Sequence, residues 1–251
     1  MMRVLGVIPA RWGSTRFPGK ILHPLCGRPL LHWVVLRARA ARRLSELLVA
    51  TDDERIRAAA VAEGIAAVMT SPAHASGTDR VAEAVRGRGA DIVINIQGDE
   101  PLIEPALIDA LAETLEDGAW QMATAACPIA DEATLRNPSV VKVARAEDGA
   151  GLYFSRSPIP FLRDRPPDAP FPAGVFLRHI GIYGYRADFL ERFVAAPPSP
   201  LEQREKLEQL RALEMGCRIH VRLVPAAGVG VDTPEDVPAA EAALRAAGVA
   251  R

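Results

Sequence analysis

Short apolar runs alternate with helix-patterned segments through the first half of the chain, and this alternation limits its fold more than any other feature. Each run is four to six residues long, and the segments between them carry apolar residues at the three-to-four spacing of a helix face. Strands and helices in alternation predict an α/β fold with a mainly parallel central sheet flanked by helices. The predicted strands are 4–8, 47–51, 66–69, 91–96 and 122–126, and the predicted helices are 30–43, 54–63, 79–88 and 106–116.

The pattern changes after about Asn137. A stretch at 157–172 contains six prolines, which exclude a central strand and favour an exposed loop or arm. We expect one domain over 1–251 with an inserted edge subdomain at about 137–200 that serves substrate binding or dimerisation. A linker, a dimer arm and a substrate lid remain alternatives for the proline-rich stretch. The strand-like runs beyond Asn137 are 140–144 and 178–185, and the predicted helices are 201–215 and 234–247.

The charge balance excludes several classes of protein. Thirty Lys and Arg residues face 31 Asp and Glu residues, so the chain has no global positive field for a nucleic-acid partner. Its apolar runs are far shorter than the roughly 20 residues that span a bilayer, and its N-terminus lacks the pattern of a signal peptide. Cys26, Cys127 and Cys217 are widely separated, which suits a reducing compartment. We therefore expect a cytoplasmic protein without a nucleic-acid or membrane partner.

A loop rich in glycine, hydroxyl groups and cations follows the first predicted strand. In an open parallel sheet this connection lies at the carboxyl edge, where ligands bind. Its glycines allow backbone amides to approach an anion, and Arg11, Arg16 and Lys20 can neutralise phosphate charge. The spacing of Gly13 and Gly19 differs from that of a Walker A loop, and no dinucleotide fingerprint follows the strand. A triphosphate is the expected ligand, and a merely solvated basic loop is the alternative.

Two aspartates offer ligands for a metal ion. Asp99 follows the predicted strand 91–96, and Asp232 precedes Pro234 near the C-terminus. Mg²⁺ usually takes one or two protein carboxylates and fills its other positions with water and phosphate oxygens. Each aspartate also has a structural interpretation, since Asp99 suits a tight turn and Asp232 can cap a helix. Together with the cationic loop, they predict a Mg²⁺ site.

Motifs along almost the whole chain resemble those of the 3-deoxy-manno-octulosonate cytidylyltransferases, the CMP-Kdo synthetases of bacterial lipopolysaccharide synthesis. Their order and spacing agree throughout, and departures such as Phe17, where leucine is commoner, are small. The matching pieces are 8–20 (IPARWGSTRFPGK), 50–53 (ATDD), 76–80 (SGTDR), 94–101 (INIQGDEP), 137–138 (NP), 140–143 (VVKV), 155–160 (SRSPIP), 179–183 (HIGIY), 207–211 (LEQLR) and 231–236 (VDTPED).

The resemblance implies transfer of CMP from CTP to the anomeric hydroxyl of 3-deoxy-manno-octulosonate (Kdo), with release of pyrophosphate. It implies a Rossmann-like nucleotidyltransferase fold and a homodimer. Arg11, Lys20, Asp99 and Asp232 would be catalytic, the two aspartates as Mg²⁺ ligands. The implied nucleotide-binding residues are Ala10, Arg11, Gly13, Ser14, Lys20, Ser76, Gly77, Arg80 and Gln97, and the implied sugar-binding residues are Gln97, Arg156, His179, Tyr183, Glu208 and Gln209.

The chemistry requires positioning and charge neutralisation more than a covalent nucleophile, because the α-phosphorus of CTP is shielded by anionic oxygens. Two alternatives remain open. A sister enzyme could use another acid sugar or an amino-substituted Kdo, and a binding module could share the fold without catalysis. A nicotinamide-dependent dehydrogenase lacks support because the glycine fingerprint is missing.

Overall fold

The computed structural model describes residues 2–14, 16–164, 166 and 169–250. Its main strands and helices alternate as the sequence predicts, and the expected α/β fold is confirmed. Within the described residues the strands are β1 Val4–Ala10, β2 Pro24–Leu25, β3 Arg28–Pro29, β4 Glu46–Thr51, β5 Ala66–Met69, β6 Ile92–Asn95, β7 Met122–Pro128, β8 Lys142–Arg145, β9 Gly151–Ser155, β10 Leu177–Arg186 and β11 Ile219–Leu223. The helices are α1 Leu30–Arg39, α2 Glu54–Ala62, α3 Gly77–Val85, α4 Pro105–Glu116, α5 Glu132–Arg136, α6 Ala187–Ala195, α7 Pro200–Glu205, α8 Gln209–Glu214 and α9 Val237–Ala246, with short 3₁₀ turns at Lys20–Leu22 and Pro234–Asp236.

One central sheet carries the fold, in the order β11-β7-β10-β6-β1-β4-β5, and β8 and β9 extend it from β10. Strand β1 pairs in parallel with β4 and β6, so β1, β4 and β6 present their carboxyl ends at one edge. Strand β10 runs antiparallel to both β6 and β7. The sheet is therefore mostly parallel, with β10 reversed between its two halves.

Alternating side chains of the strands form two apolar layers. Ile8 and Ile94 pack with α1 and α4 on one face of the sheet. Val7 and Val93 pack with α3 and α6 on the other face. These strands are buried on both faces, as expected for a sheet covered by helices. No helix in the described part of the chain is long and apolar enough to cross a membrane.

The second half departs from the sequence pattern in two helices. The single helix predicted at 201–215 is wrong: α7 and α8 are separate, because Lys206 takes a left-handed conformation with φ 55°. The carbonyl of Glu205 accepts a 2.8 Å hydrogen bond from Arg156 Nε instead of continuing the helix. The helix predicted at 234–247 begins as a 3₁₀ turn, and its N-cap is Thr233.

The segment expected as an inserted subdomain, 137–200, contains β8, β9, β10 and α6. Its later part is integral to the central sheet, because β10 bridges β6 and β7. The described residues of the proline-rich stretch form neither helix nor strand. The function of this segment in substrate binding or dimerisation stays a prediction.

A buried histidine lies within β10, close to a bulge between Ile180 and Tyr183. His179 is 9 % exposed, and its Nε2 lies 2.9 Å from Thr124 Oγ1. The ring of Phe154 meets it edge-on at 5.1 Å between centroids. Burial lowers the pKa of His179 to about 3, so the imidazole is neutral in the folded protein near neutral pH.

This burial makes stability depend on pH. An unfolded histidine titrates near pH 6.5, so between about pH 3 and pH 6.5 the unfolded state binds one proton more than the folded state. Stability is then lost as the pH falls below about 6.5. We expect the free energy of unfolding in urea to drop by about 1 kcal/mol more between about pH 7 and pH 5.5 in the parent than in His179→Asn. A Gln203→Ala variant, which changes an exposed side chain that does not titrate, is the control and should keep the parental drop. Equal pH slopes for the parent and His179→Asn would contradict the assignment.

Candidate active site

The loop after β1 is closed on itself at the carboxyl edge of the sheet. The carbonyl of Trp12 accepts hydrogen bonds from the backbone N–H groups of Ser14, at 2.9 Å, and Gly19, at 3.0 Å. Gly19 has φ +71°, a conformation that favours glycine, and the 3₁₀ turn Lys20–Leu22 follows it directly. The loop therefore folds back, and Lys20 lies close to the carboxyl end of β1.

Lys20 lies between the two predicted metal ligands. Its Nζ is 2.7 Å from Asp99 Oδ2 and 3.6 Å from Asp232 Oδ1. Arg16 Nη2 also reaches Asp232 Oδ1, at 3.0 Å. Two carboxylates from distant parts of the chain thus converge on one cationic group.

The interpretation of Asp232 as a helix cap is not what the structure shows. Thr233 occupies the N-cap position, and Asp236 Oδ2 accepts the backbone N–H groups of both Asp232 and Thr233 at 2.8 Å. Because Asp236 satisfies these backbone donors, the carboxylate of Asp232 is available to face Arg16 and Lys20.

A cavity of about 340 Å³ opens beside these charges. It is bounded by the loop after β1, the start of α3 and the end of β6. The predicted nucleotide and metal residues that line it are Ala10, Arg11, Ser14, Lys20, Ser76, Gly77, Arg80, Gln97, Asp99 and Asp232. Gly13 does not contribute to its lining.

The start of α3 supplies one wall of the cavity. Ser76 caps this helix: its Oγ accepts from the N–H of Asp79, and the Asp79 carboxylate accepts the N–H of Ser76. One turn on, Arg80 is 4 % exposed, and its Nη2 donates to Asp52 Oδ2 at 2.7 Å. A helix N-terminus and a fixed guanidinium together suit an anionic ligand.

The predicted sugar residues divide into two groups. Gln97 and Glu208 line the cavity, and Glu208 Oε2 accepts a 2.6 Å hydrogen bond from Thr78 Oγ1. The other four do not line it. Tyr183 and Gln209 contact each other, with 3.2 Å from the hydroxyl to Oε1.

Each of these four has protein partners of its own. His179 is buried against Thr124, as described above. Arg156 donates from Nε to the carbonyl of Glu205 and from Nη1 to that of Pro138. Burial and the nearby charge of Glu208 raise the pKa of Tyr183, so its hydroxyl stays protonated. Their role in sugar binding stays a prediction.

Two residues at or next to the cavity wall, His74 and Thr78, were not among the predicted site residues. His74 lines the cavity, and its Nε2 contacts Glu83, which also accepts the N–H of Ser71. Thr78 holds Glu208 in place. A signal was available, because His74 lies two positions before Ser76, in the loop that leads into α3, and Thr78 lies two positions after it, in the first turn of α3.

Glu100 adds a third acidic group behind Asp99. Burial raises its pKa to about 7, and the negative charges of Asp99 and Asp232 act in the same direction. This edge of the sheet is therefore an acidic cluster that requires positive charge for balance.

The donor set suits Mg²⁺. The described part of the chain has no group of three or more His, Cys, Asp or Glu residues that could hold a metal ion. Mg²⁺ needs no such cage, since one or two carboxylates together with substrate phosphates are its usual partners. The convergence of Asp99 and Asp232 on the ammonium of Lys20 shows that one cation can serve both carboxylates.

Comparisons with known proteins agree with this architecture. A family model described as "Cytidylyltransferase" matches residues 5–219. The 4-diphosphocytidyl-2C-methyl-D-erythritol synthase from Anaerococcus prevotii is similar at a TM-score of 0.63 with 13% identity, covering 97% of this chain and 99% of that one. That likeness shows a shared fold.

Nearer relatives cover almost the whole chain. The 3-deoxy-manno-octulosonate cytidylyltransferase of Syntrophobacter fumaroxidans is 52% identical over 242 residues, 95% of each chain, and that of Bdellovibrio bacteriovorus is 48% identical over 249 residues, 99% of this chain and 100% of the relative. A solved structure of CMP:2-keto-3-deoxy-manno-octonic acid synthetase complexed with CTP is similar at a TM-score of 0.90 with 41% identity, covering 98% of this chain and 99% of that one. Identity at this level over the full length means that the chain belongs to the 3-deoxy-manno-octulosonate cytidylyltransferase family.

Proposed function

We propose that the protein transfers CMP from CTP to the anomeric hydroxyl of Kdo and releases pyrophosphate, for lipopolysaccharide synthesis. The observation that carries this proposal is the cavity in which Arg11, Arg16 and Lys20 lie together with Asp99 and Asp232. Relatives that are about half identical bear the name of this activity, and the solved structure with a TM-score of 0.90 is of a complex with CTP.

The nucleotide side of the cavity is built for a polyanion. Arg11 and Lys20 would bind the triphosphate, and Ser14 and the backbone beside it would donate hydrogen bonds. Gly77 at the start of α3 lines the cavity, and a Cβ built there would make only an ordinary contact, 3.6 Å from Pro9. The protein itself therefore does not require glycine at this position, and its backbone would be open to a ligand. Ser76, Arg80 and Gln97 would hold the cytidine.

Asp99 and Asp232 would hold Mg²⁺ at the junction between the two substrates. When bound, the ion would neutralise charge on phosphate oxygens and lower the pKa of the attacking hydroxyl. In the described structure Lys20 and Arg16 provide the counter-charge for these carboxylates. The residues of this edge thus keep the reacting centre balanced and oriented, which is the main requirement of phosphoryl transfer.

The sugar side is the wall formed by α8 and the neighbouring strands. Glu208 faces the cavity and would bind sugar hydroxyl groups, with Gln97 beside it. Arg156, His179, Tyr183 and Gln209 would extend this wall toward the carboxylate and the remaining hydroxyls of Kdo. A sister acid sugar or an amino-substituted Kdo is the alternative acceptor, and assays with each sugar in turn separate these substrates.

We infer further that the protein acts as a homodimer in the cytoplasm. The three cysteines, Cys26, Cys127 and Cys217, are free thiols, and Cys127 and Cys217 are buried, which is consistent with a reducing compartment. Phe161, in the proline-rich stretch, is 88 % exposed and offers an apolar contact to a second copy.

The proposed function is tested by pyrophosphate release from CTP, Kdo and Mg²⁺. We expect turnover in the parent, none without Mg²⁺, and a loss on the order of 10²-fold or more in Asp99→Asn and Asp232→Asn, because a preorganised charge is removed from the reacting centre. Thermal unfolding should show that both variants are folded. Asp188→Asn changes an exposed aspartate on α6 and serves as the control, with parental turnover expected. Near-normal turnover in either active-site variant would refute the metal assignment, and no release with any acid sugar would refute the function.

The division between nucleotide and sugar is tested at Glu208. Because Glu208 lies on the sugar side of the cavity, Glu208→Ala should raise the KM for Kdo about fivefold or more. It should leave the Kd for CTP, measured by calorimetry without sugar, within about twofold. Thr78→Val, which removes the hydroxyl that holds Glu208, should act in the same direction. Gln203→Ala on the exposed face of α7 is the control; loss of CTP binding with an unchanged KM for Kdo would contradict this division.

A further inference from the structure

The side chain of Trp12 is enclosed between two different segments of the chain. Its ring lies against Gly19, so closely that a Cβ built on Gly19 would be 2.9 Å from Cη2 of the indole. Real Cβ contacts of that length are essentially absent, so a side chain at Gly19 would displace the ring. The carbonyl of Trp12 already accepts the N–H of Gly19, so the ring and the backbone of one residue both fix the position of Gly19.

Arg55 covers the face of the same ring. Its guanidinium carbon lies 3.4 Å from the centre of the Trp12 indole, well within the range of a cation–π contact. Arg55 comes from α2, which follows β4, whereas Trp12 follows β1. The stack therefore connects the loop after β1 to the start of α2, which follows the neighbouring strand β4.

The guanidinium of Arg55 is itself held in place. Its Nε donates to Asp53 Oδ1 at 2.9 Å, and its Nη2 donates to Asp53 Oδ2 at 2.6 Å. Asp53 is also the N-cap of α2 and accepts the backbone N–H of Arg55. Two parallel hydrogen bonds to a carboxylate fix the plane of a guanidinium. Arg55 is thus a fixed support for the ring.

Neither Trp12 nor Arg55 lines the cavity, but the residue that follows Gly19 does. That residue is Lys20, whose Nζ lies 2.7 Å from Asp99 Oδ2. Because Gly19 contacts both the ring and the carbonyl of Trp12, a shift of the ring would reach the backbone of Lys20 through Gly19. The stack is consequently in a position to set the conformation of the cationic loop.

We propose that the Arg55–Trp12 stack is a positioning device for the triphosphate site, in which Arg55 acts through Trp12 and Gly19 on Lys20. This inference rests on the proposed function, because it assigns the loop to CTP. Without the stack, the loop would spend only part of its time in the conformation that binds the triphosphate. The apparent affinity for CTP then falls by that fraction, while the complex that does form turns over normally.

The experiment compares Arg55→Ala with Arg57→Ala. Arg57 lies on the same helix, has a partly exposed side chain and pairs with Glu54, which makes it a matched control. We expect the KM for CTP to rise about fivefold in Arg55→Ala with kcat within about twofold, since a loss of loop population appears in affinity alone. Arg57→Ala should keep both parameters within about twofold. Trp12→Ala should resemble Arg55→Ala, and Trp12→Tyr, which keeps an aromatic face, should recover most of the affinity.

A second measurement does not depend on activity. Loss of the stack uncovers the indole, so acrylamide should quench tryptophan emission more strongly in Arg55→Ala than in the parent or in Arg57→Ala. In a Trp12→Phe background this difference should disappear, because Trp33 and Trp120 then give the remaining signal. Equal quenching and equal KM in Arg55→Ala and Arg57→Ala would overturn the proposal. A quenching difference in a protein that releases no pyrophosphate with any sugar would support the stack and refute the proposed function instead.

Discussion

The ammonium group of Lys20, held between Asp99 and Asp232, is the contact on which the rest of the site depends. It joins the first loop of the chain to the end of β6 and to the segment that precedes α9. Without a cation at this point the two carboxylates, with Glu100 behind them, would repel one another. Charge balance at the carboxyl edge therefore favours the contact between the loop after β1, the end of β6 and the segment before α9. The cavity lies beside this contact.

The sequence was sufficient to predict that the loop after β1 and the loop after β6 lie at the same edge of the sheet. Local patterns give strands and helices, and parallel pairing brings the loops after β1 and β6 to one edge. Asp232 was grouped with Asp99 because of its residue type, and the resemblance to a known family supported that grouping, but no periodicity connects Asp232 to β6. The sequence also left its side chain ambiguous between a cap and a ligand. Only the three-dimensional position of Asp236, which takes the backbone donors, separates the two roles.

The structure of the proposed sugar-binding wall was harder to predict from the sequence, for a physical reason. Its predicted residues lie at the end of β9, on β10 and at the start of α8, where tertiary contacts override the local pattern. Arg156 donates a hydrogen bond to the carbonyl of Glu205, and the helix that the pattern at 201–215 predicts as continuous is broken after Glu205. The strand β9 and the helix α6 were not predicted either, although both pack on the second apolar layer through residues such as Phe154 and Phe193. Where a contact partner is far away in the chain, short-range periodicity carries little information about it.

The reversed strand β10 also has a consequence for how the chain is assembled. Strands β1, β4, β5 and β6 can pair among themselves, but β7 is joined to them only through β10, which ends at Arg186. During synthesis, β6 consequently remains an open edge of the growing sheet while some ninety further residues leave the ribosome. The delayed arrival of β10, rather than the formation of the nucleotide loop, is then the step at which a nascent chain is most exposed to pairing with another copy.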